Sequence, residues 1–330
     1  MKAIQFVALA IVPLLGACRA ATEAGNDPPA LDGRTVGAAA VGHPAGLVDS
    51  VVPLGGTPYG IAIAPTGKFV LTTQLTGTAV ARAPLPSRTY ATFIPVGSFP
   101  PHVAINPAST RAYVPNQLGH TVSVVDLATN AELTQLPLAG EGYNVAVHPN
   151  GATTYITTNI GRMYLLNNAT NTFLDSVDLD PANNGLAFGK NNLLFVSSLL
   201  AGTVTAYNTV TRQVVRVLTT GGVPQRMAVH LATNELYIAN ETLGLDIWNL
   251  NTRTRILSIP MDAYGLGLSP DGMKLYVAGA RTGTVTIVDR ATRQVEATLV
   301  VGGIPRNVAF LPNGARAAVT NQAGYVTWIR

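Results

Sequence analysis

The sequence predicts an all-β fold, a seven-bladed β-propeller of four-stranded blades whose last blade is closed by the N-terminal strand. Three observations support it. A short apolar-Ala-apolar motif recurs seven times at nearly constant spacing, and each copy contains strand-like segments separated by turn signals. The last copy also lacks a fourth strand, which a segment ahead of the first copy can supply. Repeats of this length with several strands each are typical of propeller blades.

The repeated motif has a small residue at its centre. Its seven centres are separated by 42, 42, 41, 41, 39 and 42 residues. The first strands of propeller blades crowd around one axis, so a small residue lets neighbouring backbones approach while the flanking apolar side chains fill the wedge between blades. The centres are Ala62, Ala104, Ala146, Ala187, Ala228, Gly267 and Ala309.

Each copy predicts four strands. In the second copy these are "HVAIN", "RAYVPN", "TVSVVDL" and "AELTQLPL", separated by "PAST", "QLGH" and "ATN". Four other copies place "PTG", "PNG" or "PDG" at the first turn, where Pro presets φ and Gly accepts a positive φ. The fourth copy departs most, with "LFVSS" and "FGKNN", and we expect less even spacing over 181–200.

The two ends of the repeat region complement each other. The seventh copy stops at Arg330 after three strands, and the segment "GLVDSVVPL" (46–54) resembles the outer strands of other copies. We therefore expect this segment to pair with the last blade, which removes an exposed sheet edge and closes the ring.

The repeated residues also resemble a known family. The segments "AYVPN", "TYITTN", "LYIAN" and "AAVTN", followed by "GTVTIVD" and "TRQVEATL" in the clearer copies, are similar to the YVTN-repeat β-propellers, the group that includes YncE-like proteins. The resemblance covers about 46–330. It implies the propeller fold and leaves the function open, because the repeated residues are the scaffold.

The N-terminal residues predict a lipid-anchored protein. Residues 1–17 have a basic Lys2 and an apolar run, as in a lipoprotein signal peptide, and end before Cys18, the only cysteine. "Leu-Gly-Ala-Cys" resembles the bacterial lipobox, so we expect Cys18 to carry lipid and residues 18–45, rich in Ala, Gly and Pro, to form a flexible tether. The predicted location is the cell envelope, at the outer membrane facing the periplasm or the cell surface in a Gram-negative organism. The alternative is an ordinary signal peptide with a chance cysteine.

The composition narrows the functional classes. Apolar residues make up 47% of the chain and charged residues 12%, which indicates a large buried core rather than disorder. The net charge is +4 without any run of basic residues. Such a small, dispersed excess argues against a nucleic-acid partner.

Comparison of the seven copies identifies a candidate site at positions where the copies differ. In a propeller, the residues just before each first strand ring one mouth of the central channel, and here they differ between copies. Variable residues at a concave mouth are candidates to bind a ligand, since shared positions hold the fold. The predicted ligand-binding residues are Tyr59, His102, Tyr143, Asn144, Asn184, Gln225, Arg226, Tyr264, Arg306 and Asn307.

The chemistry of this ring indicates an anionic or saccharide-like ligand, or a segment of a partner protein. Arginines suit carboxylates or phosphates, and tyrosines suit apolar or sugar-like faces. The opposing interpretation is that the tyrosines and amides cap strand ends and the arginines are solvated. The predicted role is binding or scaffolding.

The alternative function is that of a lactonase- or lyase-type propeller enzyme. The resemblance implies it, since related propellers include such enzymes, and the scarcity of acid–base residues at the mouth counts against it. Glu141 and Glu241 lie in loops on the mouth side, and the sequence does not fix their distance from His102. We assign no catalytic residue, cofactor or metal. His148 and His230 are expected to satisfy turn backbone groups, and Asp126 and Asp289 to form turns with the Thr three residues later.

Overall fold

A computed structural model describes residues 46–330, which form seven four-stranded antiparallel sheets. The predicted signal peptide (1–17), the predicted tether (18–45) and Cys18 lie outside the described residues. Blades 1 to 7 are numbered in chain order, and strands β1 to β28 likewise. Within residues 46–330, no helix is long and apolar enough to span a membrane.

The strands have the following bounds. The closing strand is β1 (Val48–Pro53). Blade 1 contains β2 (Pro58–Ile63), β3 (Phe69–Gln74), β4 (Ala79–Pro84) and β5 (Thr92–Pro95). Blade 2 contains β6 (Ala104–Ile105), β7 (Arg111–Asn116), β8 (Thr121–Asp126) and β9 (Ala131–Pro137). Blade 3 contains β10 (Gly142–Val147), β11 (Thr153–Thr158), β12 (Arg162–Asn167) and β13 (Thr172–Asp178).

The remaining blades repeat this order. Blade 4 contains β14 (Asn183–Phe188), β15 (Leu193–Ser198), β16 (Thr203–Asn208) and β17 (Gln213–Thr219). Blade 5 contains β18 (Pro224–His230), β19 (Glu235–Asn240), β20 (Gly244–Asn249) and β21 (Thr254–Ile259). Blade 6 contains β22 (Gly265–Leu268), β23 (Lys274–Gly279), β24 (Thr284–Asp289) and β25 (Val295–Val300). Blade 7 contains β26 (Pro305–Phe310), β27 (Ala317–Asn321) and β28 (Tyr325–Ile329).

The ring closes as the sequence predicts. Strand β1 pairs antiparallel with β28, from Val48 opposite Ile329 to Pro53 opposite Tyr325, and completes blade 7. The first strands of neighbouring blades contact one another at every step around the ring, including β26 with β2. The seven-bladed propeller, with its N-terminal closing strand, is confirmed.

The hydrophobic core lies between the blades. Seven clusters of buried apolar side chains occur, and each joins two neighbouring blades. The second and third strands are buried along most of their length, whereas an outer strand such as β9 alternates between exposed and half-buried residues. Each blade therefore depends on its neighbours for burial, which favours a closed ring.

The repeated asparagine of the YVTN-like motif has a scaffold role. In blade 5, Asn240 accepts a hydrogen bond from the Val223 amide at 2.9 Å and donates to the Gly221 carbonyl at 2.9 Å. Asn321 makes the corresponding bonds to Ile304 and Gly302 in blade 7. The asparagine thus ties each of these blades to the segment that enters it.

The expected turn chemistry is present as well. The Asp126 carboxylate accepts bonds from the amide and hydroxyl of Thr129, and Asp289 does the same with Thr292. His148 and His230 each accept a backbone amide within their own turns, from Asn150 and Thr233.

Blade 4 is regular despite its divergent sequence. Its first turn places Asn191 and Asn192 at positive φ, a conformation that asparagine tolerates, so "FGKNN" closes a hairpin without the Pro-Gly pattern. Ser197, in "LFVSS", accepts a bond from the Gly185 amide, as Thr73 does from Gly60 in blade 1. A hydroxyl is therefore retained where the motif letters change, and blade 4 keeps its four strands, with one register shift within 181–200, between Asn183 and Leu186.

Candidate functional site

The candidate site is the mouth, defined as the end of the central channel where first strands begin and second strands end. The structure brings side chains from different blades together there. Tyr59, Tyr143, Tyr264 and Arg306 are half-buried. The remaining ring residues are buried: His102, Asn144, Asn184, Gln225, Arg226 and Asn307.

Arg226 lies at the centre of the mouth and crosses the channel. Its Nε donates to Asn307 Oδ1 of blade 7 at 2.9 Å, its Nη1 to Asn184 Oδ1 of blade 4, and its Nη2 bonds His102 Nε2 of blade 2. Only 7% of its surface is exposed. One side chain from blade 5 thus links three other blades and forms the floor of the mouth.

The charge of Arg226 has no carboxylate partner within residues 46–330. All three of its hydrogen-bond acceptors are neutral groups. Burial lowers the pKa of Arg226 from its usual value, but a guanidinium remains protonated in proteins. A buried positive charge is costly to desolvate unless an anion compensates it, so the mouth is electrostatically suited to receive one.

His102 is a hydrogen-bond acceptor in this arrangement. Because a guanidinium only donates, His102 Nε2 must be unprotonated and the ring proton must lie on Nδ1. Burial, followed by the Arg226 charge, lowers the pKa of His102 well below its usual range and keeps it neutral. The lone pair that a general base needs is therefore bonded to Arg226.

Arg306 forms one wall of the mouth with two tyrosines. Its guanidinium carbon lies 4.3 Å from the centre of the Tyr264 ring and 5.5 Å from that of Tyr59, and its Nε donates to Gln322 Oε1 at 2.6 Å. The hydroxyls of Tyr59 and Tyr264 bond each other. Burial raises the pKa of Tyr264, so its phenol stays protonated. Stacking fixes the Arg306 plane, and its Nη1 and Nη2 groups make no hydrogen bond within residues 46–330.

A chain of amides completes the floor. Asn144 donates to the Asn184 carbonyl at 2.6 Å, and the Asn184 amide donates to Gln225 Oε1. Gln225 in turn donates to the Glu241 carboxylate. These bonds orient the Asn184 oxygen toward Arg226 and hold the guanidinium in place.

The structure adds residues that the predicted ring omits. Gln117, Glu241 and Gln322 follow the asparagine that ends the second strand in blades 2, 5 and 7, and they bond Glu141, Gln225 and Arg306 respectively. Comparison of the copies at the position after "YVTN" would also have found them, because the residue there differs between copies and is polar in these three blades.

The two glutamates do not contact His102. Glu141 accepts from Gln117 at 2.9 Å and Glu241 accepts from Gln225, while His102 bonds Arg226. The sequence left the distance between His102 and these carboxylates open, and in the structure the imidazole nitrogen bonds Arg226 from across the channel instead. In the described part of the chain, no three His, Cys, Asp or Glu side chains form a group that could hold a metal ion.

Glycines bring the backbones at the mouth close together. Gly60, Gly185 and Gly265 occupy the position where other blades carry a buried polar side chain. A Cβ on each would lie 2.7, 2.3 and 1.8 Å from a backbone carbonyl oxygen of the next blade. For Gly185 and Gly265 that carbonyl belongs to Gln225 and Arg306, so these glycines position two residues of the mouth.

Fold and site together define the protein as a seven-bladed β-propeller with a polar mouth that contains a buried arginine. No family model matches the chain, and no curated protein matches it. Among solved structures, a chain of the Kuenenia stuttgartiensis hydrazine synthase is similar, with a TM-score of 0.74 and 16% identity. The match covers 86% of this chain and 97% of that one, and at this identity it shows the fold alone.

Proposed function

We propose that this protein is a binding protein of the cell envelope that captures a small hydroxylated carboxylate in its mouth. The observation that carries the proposal is the buried guanidinium of Arg226, which has neutral acceptors and no carboxylate partner in the described residues. A carboxylate entering the mouth would supply the missing negative charge.

The energetics favour an anion over a neutral ligand. Removing a guanidinium from water costs on the order of several kcal/mol, unless an opposite charge and hydrogen bonds offset the lost hydration. The three neutral bonds hold its orientation but leave the charge unbalanced, and Arg306 adds a second guanidinium on the wall. Preorganised positive groups of this kind bind an anion without reorganising first.

The other mouth residues suit hydroxyl groups on the ligand. The Tyr59 and Tyr264 phenols and the amide chain through Asn144 and Asn184 can both donate and accept. Tyr143 is half-buried, and burial, followed by the Glu141 charge, raises its pKa, so that it remains a phenol donor. A sugar acid or a hydroxy acid combines the two required features.

We further propose that the chain is a YVTN-repeat propeller attached to a membrane through lipidated Cys18. The support is the repeated motif, whose asparagines act as scaffold in blades 5 and 7, and the lipobox-like sequence that ends at Cys18. Expression with radiolabelled palmitate tests the anchor. Label in the native sequence and none in Cys18→Ser supports it, whereas equal label in both contradicts it.

Binding is tested by calorimetric titration of the purified protein with glucuronate, with glucose and inorganic phosphate as comparison ligands. We expect glucuronate to bind and glucose to bind at least tenfold more weakly. Arg226→Gln and Arg306→Gln should each weaken glucuronate by roughly 10- to 100-fold, since a hydrogen bond to a charged group contributes about 1.5–3 kcal/mol.

The matched control is Arg82→Gln. Arg82 also stacks on an aromatic ring, with its guanidinium carbon 4.0 Å from the Phe69 ring centre, but it bonds Leu127 and Asn130 in the turn between β8 and β9. It should retain native affinity. Equal affinity of the native protein and both mouth variants, or tighter binding of glucose than of glucuronate, would overturn the proposal.

A further inference from the structure

A cavity lies on the face opposite the mouth, between blades 7 and 1. Its volume is about 510 Å³. It is formed by the first turns of both blades, by the loop between β4 and β5, and by Trp328 of β28. We call it the closure cleft, and its lining residues are Thr66, Gly67, Leu85, Pro86, Arg88, Leu311, Pro312, Asn313, Ala315, Arg316 and Trp328.

The closure cleft occurs where the chain departs from its own repeat. The turns between third and fourth strands span four residues in blades 2 to 5, such as 127–130 in blade 2, but 85–91 in blade 1. This longer loop carries Leu85, Pro86 and Arg88 into the cleft. The longer loop is specific to blade 1, where Leu85 and Tyr90 also pack against the core shared with blade 7.

The charged groups of the cleft leave an excess positive charge. Arg88 Nη1 and Arg316 Nε both donate to the same oxygen of Asp49, at 2.7 and 2.9 Å. Asp49 lies behind the cleft wall, and none of the described residues that line the cavity carries a carboxylate. One carboxylate thus balances one of two guanidiniums.

The arginine N–H groups are only partly used by the protein. Arg316 has five N–H groups, and only Nε has a partner among residues 46–330. Arg88 donates through Nη1 to Asp49 and Ser50 and through Nε to the Pro86 carbonyl, so its Nη2 remains for a ligand. Asp49 fixes both side chains in place, so they lose little freedom when an anion binds.

The remaining walls are apolar. Leu85 and Pro86 lie on the blade 1 side, Leu311 and Pro312 on the blade 7 side, and Trp328 is fully buried beneath Arg88, whose guanidinium carbon lies 5.2 Å from its ring. Pockets with apolar walls and a few fixed polar groups are typical of small-molecule sites.

We propose that the closure cleft binds a small aromatic or aliphatic carboxylate, independently of the mouth. Its carboxylate bonds the outer N–H groups of Arg316 and the Arg88 Nη2, and its apolar body packs against the prolines, leucines and Trp328. Because the site joins the first turn of blade 7 and β28 to the blade 1 loop, an occupied cleft also stabilises the closed ring.

The probe is 4-fluorobenzoate, followed by fluorine NMR titration of the purified protein. We expect a dissociation constant at or below about 1 mM, the scale of a small fragment site. Fluorobenzene, which lacks the carboxylate, and inorganic phosphate, which lacks the ring, should each bind at least tenfold more weakly. Fluorobenzene or phosphate binding as tightly as 4-fluorobenzoate would overturn the assigned ligand class.

Two variants locate the probe, each with a matched control. Ala315→Trp is designed to fill the cleft while both arginines are kept. Ala152→Trp makes the same change at the equivalent turn of blade 3. Both alanines are exposed and donate their amide to the preceding turn Asn at 3.0 and 2.9 Å. Arg316→Gln removes a cleft charge, and Arg111→Gln removes the equivalent arginine of blade 2.

The outcomes are distinct from those of the mouth. Ala315→Trp and Arg316→Gln should weaken 4-fluorobenzoate at least tenfold, while Ala152→Trp, Arg111→Gln and Arg226→Gln retain native affinity. An unchanged thermal midpoint for Ala315→Trp shows that the ring is intact. Native affinity in Ala315→Trp, loss of binding in Arg226→Gln alone, or no binding by the native protein would overturn the inference.

Discussion

The close approach of neighbouring blades at the mouth makes a graded prediction. Gly60→Ala, Gly185→Ala and Gly265→Ala add the same methyl group at equivalent positions, none of which has a positive φ, so the effect is steric alone. Their added Cβ atoms would lie 2.7, 2.3 and 1.8 Å from a backbone carbonyl oxygen. We therefore expect increasing destabilisation in that order.

The magnitude follows from the displacement each methyl group requires. To restore 3.0 Å, neighbouring backbones must part by at least 0.3, 0.7 and 1.2 Å respectively, the differences between 3.0 Å and the three distances. Overpacking of a well-packed interior costs about 1–3 kcal/mol. We assign about 1 kcal/mol to Gly60→Ala, about 2 to Gly185→Ala and about 3 to Gly265→Ala within that range.

Urea unfolding followed by circular dichroism measures these differences. The control is Gly46→Ala, whose Cβ would lie 2.3 Å from Cδ1 of Ile287, the far end of a side chain that can rotate. It should cost less than Gly185→Ala, although the initial distance is the same. Equal free energies of unfolding for the three mouth variants, or a larger loss in the control, would refute the steric reasoning.

Two further predictions concern ionised groups. Because the pKa of His102 is lowered in the native protein, this imidazole binds a proton in the unfolded chain below about pH 6.5 but stays neutral in the folded one. The free energy of unfolding should fall between pH 7 and 5 by at most about 1.4 kcal/mol per pH unit from this group, and His102→Gln should flatten the profile more than His230→Gln; an unchanged slope in His102→Gln would contradict the assignment. Asp49→Asn should lower the free energy of unfolding by about 1–2 kcal/mol, because two arginines bond its carboxylate. The matched change Asp178→Asn, in an exposed pair with Arg162, should leave thermal stability unchanged, and equal losses in both would show that the Asp49 contacts add nothing.

Much of the fold can be predicted from the sequence because a propeller is built from repeats. The spacing of Ala62, Ala104 and their equivalents indicates the number of blades, and the likeness of residues 46–54 to the outer strands of other copies indicates the closing strand. Blade 4 shows that residue identity alone understates the repeat, since a serine hydroxyl replaces the threonine hydroxyl without changing the hydrogen bond. What recurs is a physical role rather than a residue.

The members of the mouth could be found in the same way, but not their contacts. Comparison of copies identifies Arg226 and His102 as variable residues at equivalent positions. This comparison gives no distance between blades 5 and 2, so it could not predict the hydrogen bond between Arg226 and His102. For the same reason the sequence could not decide whether a glutamate pairs with His102.

The sequence by itself determined the number of blades, the order of strands and the positions that face the axis, because these depend on local periodicity and turn chemistry. Only the tertiary structure decided that Arg226 crosses the channel without a carboxylate partner in the described chain, and that Arg88 and Arg316 share one carboxylate beside a cleft. Both arrangements join residues far apart in the chain, and they depend on the distances and directions between side chains that closure of the ring imposes.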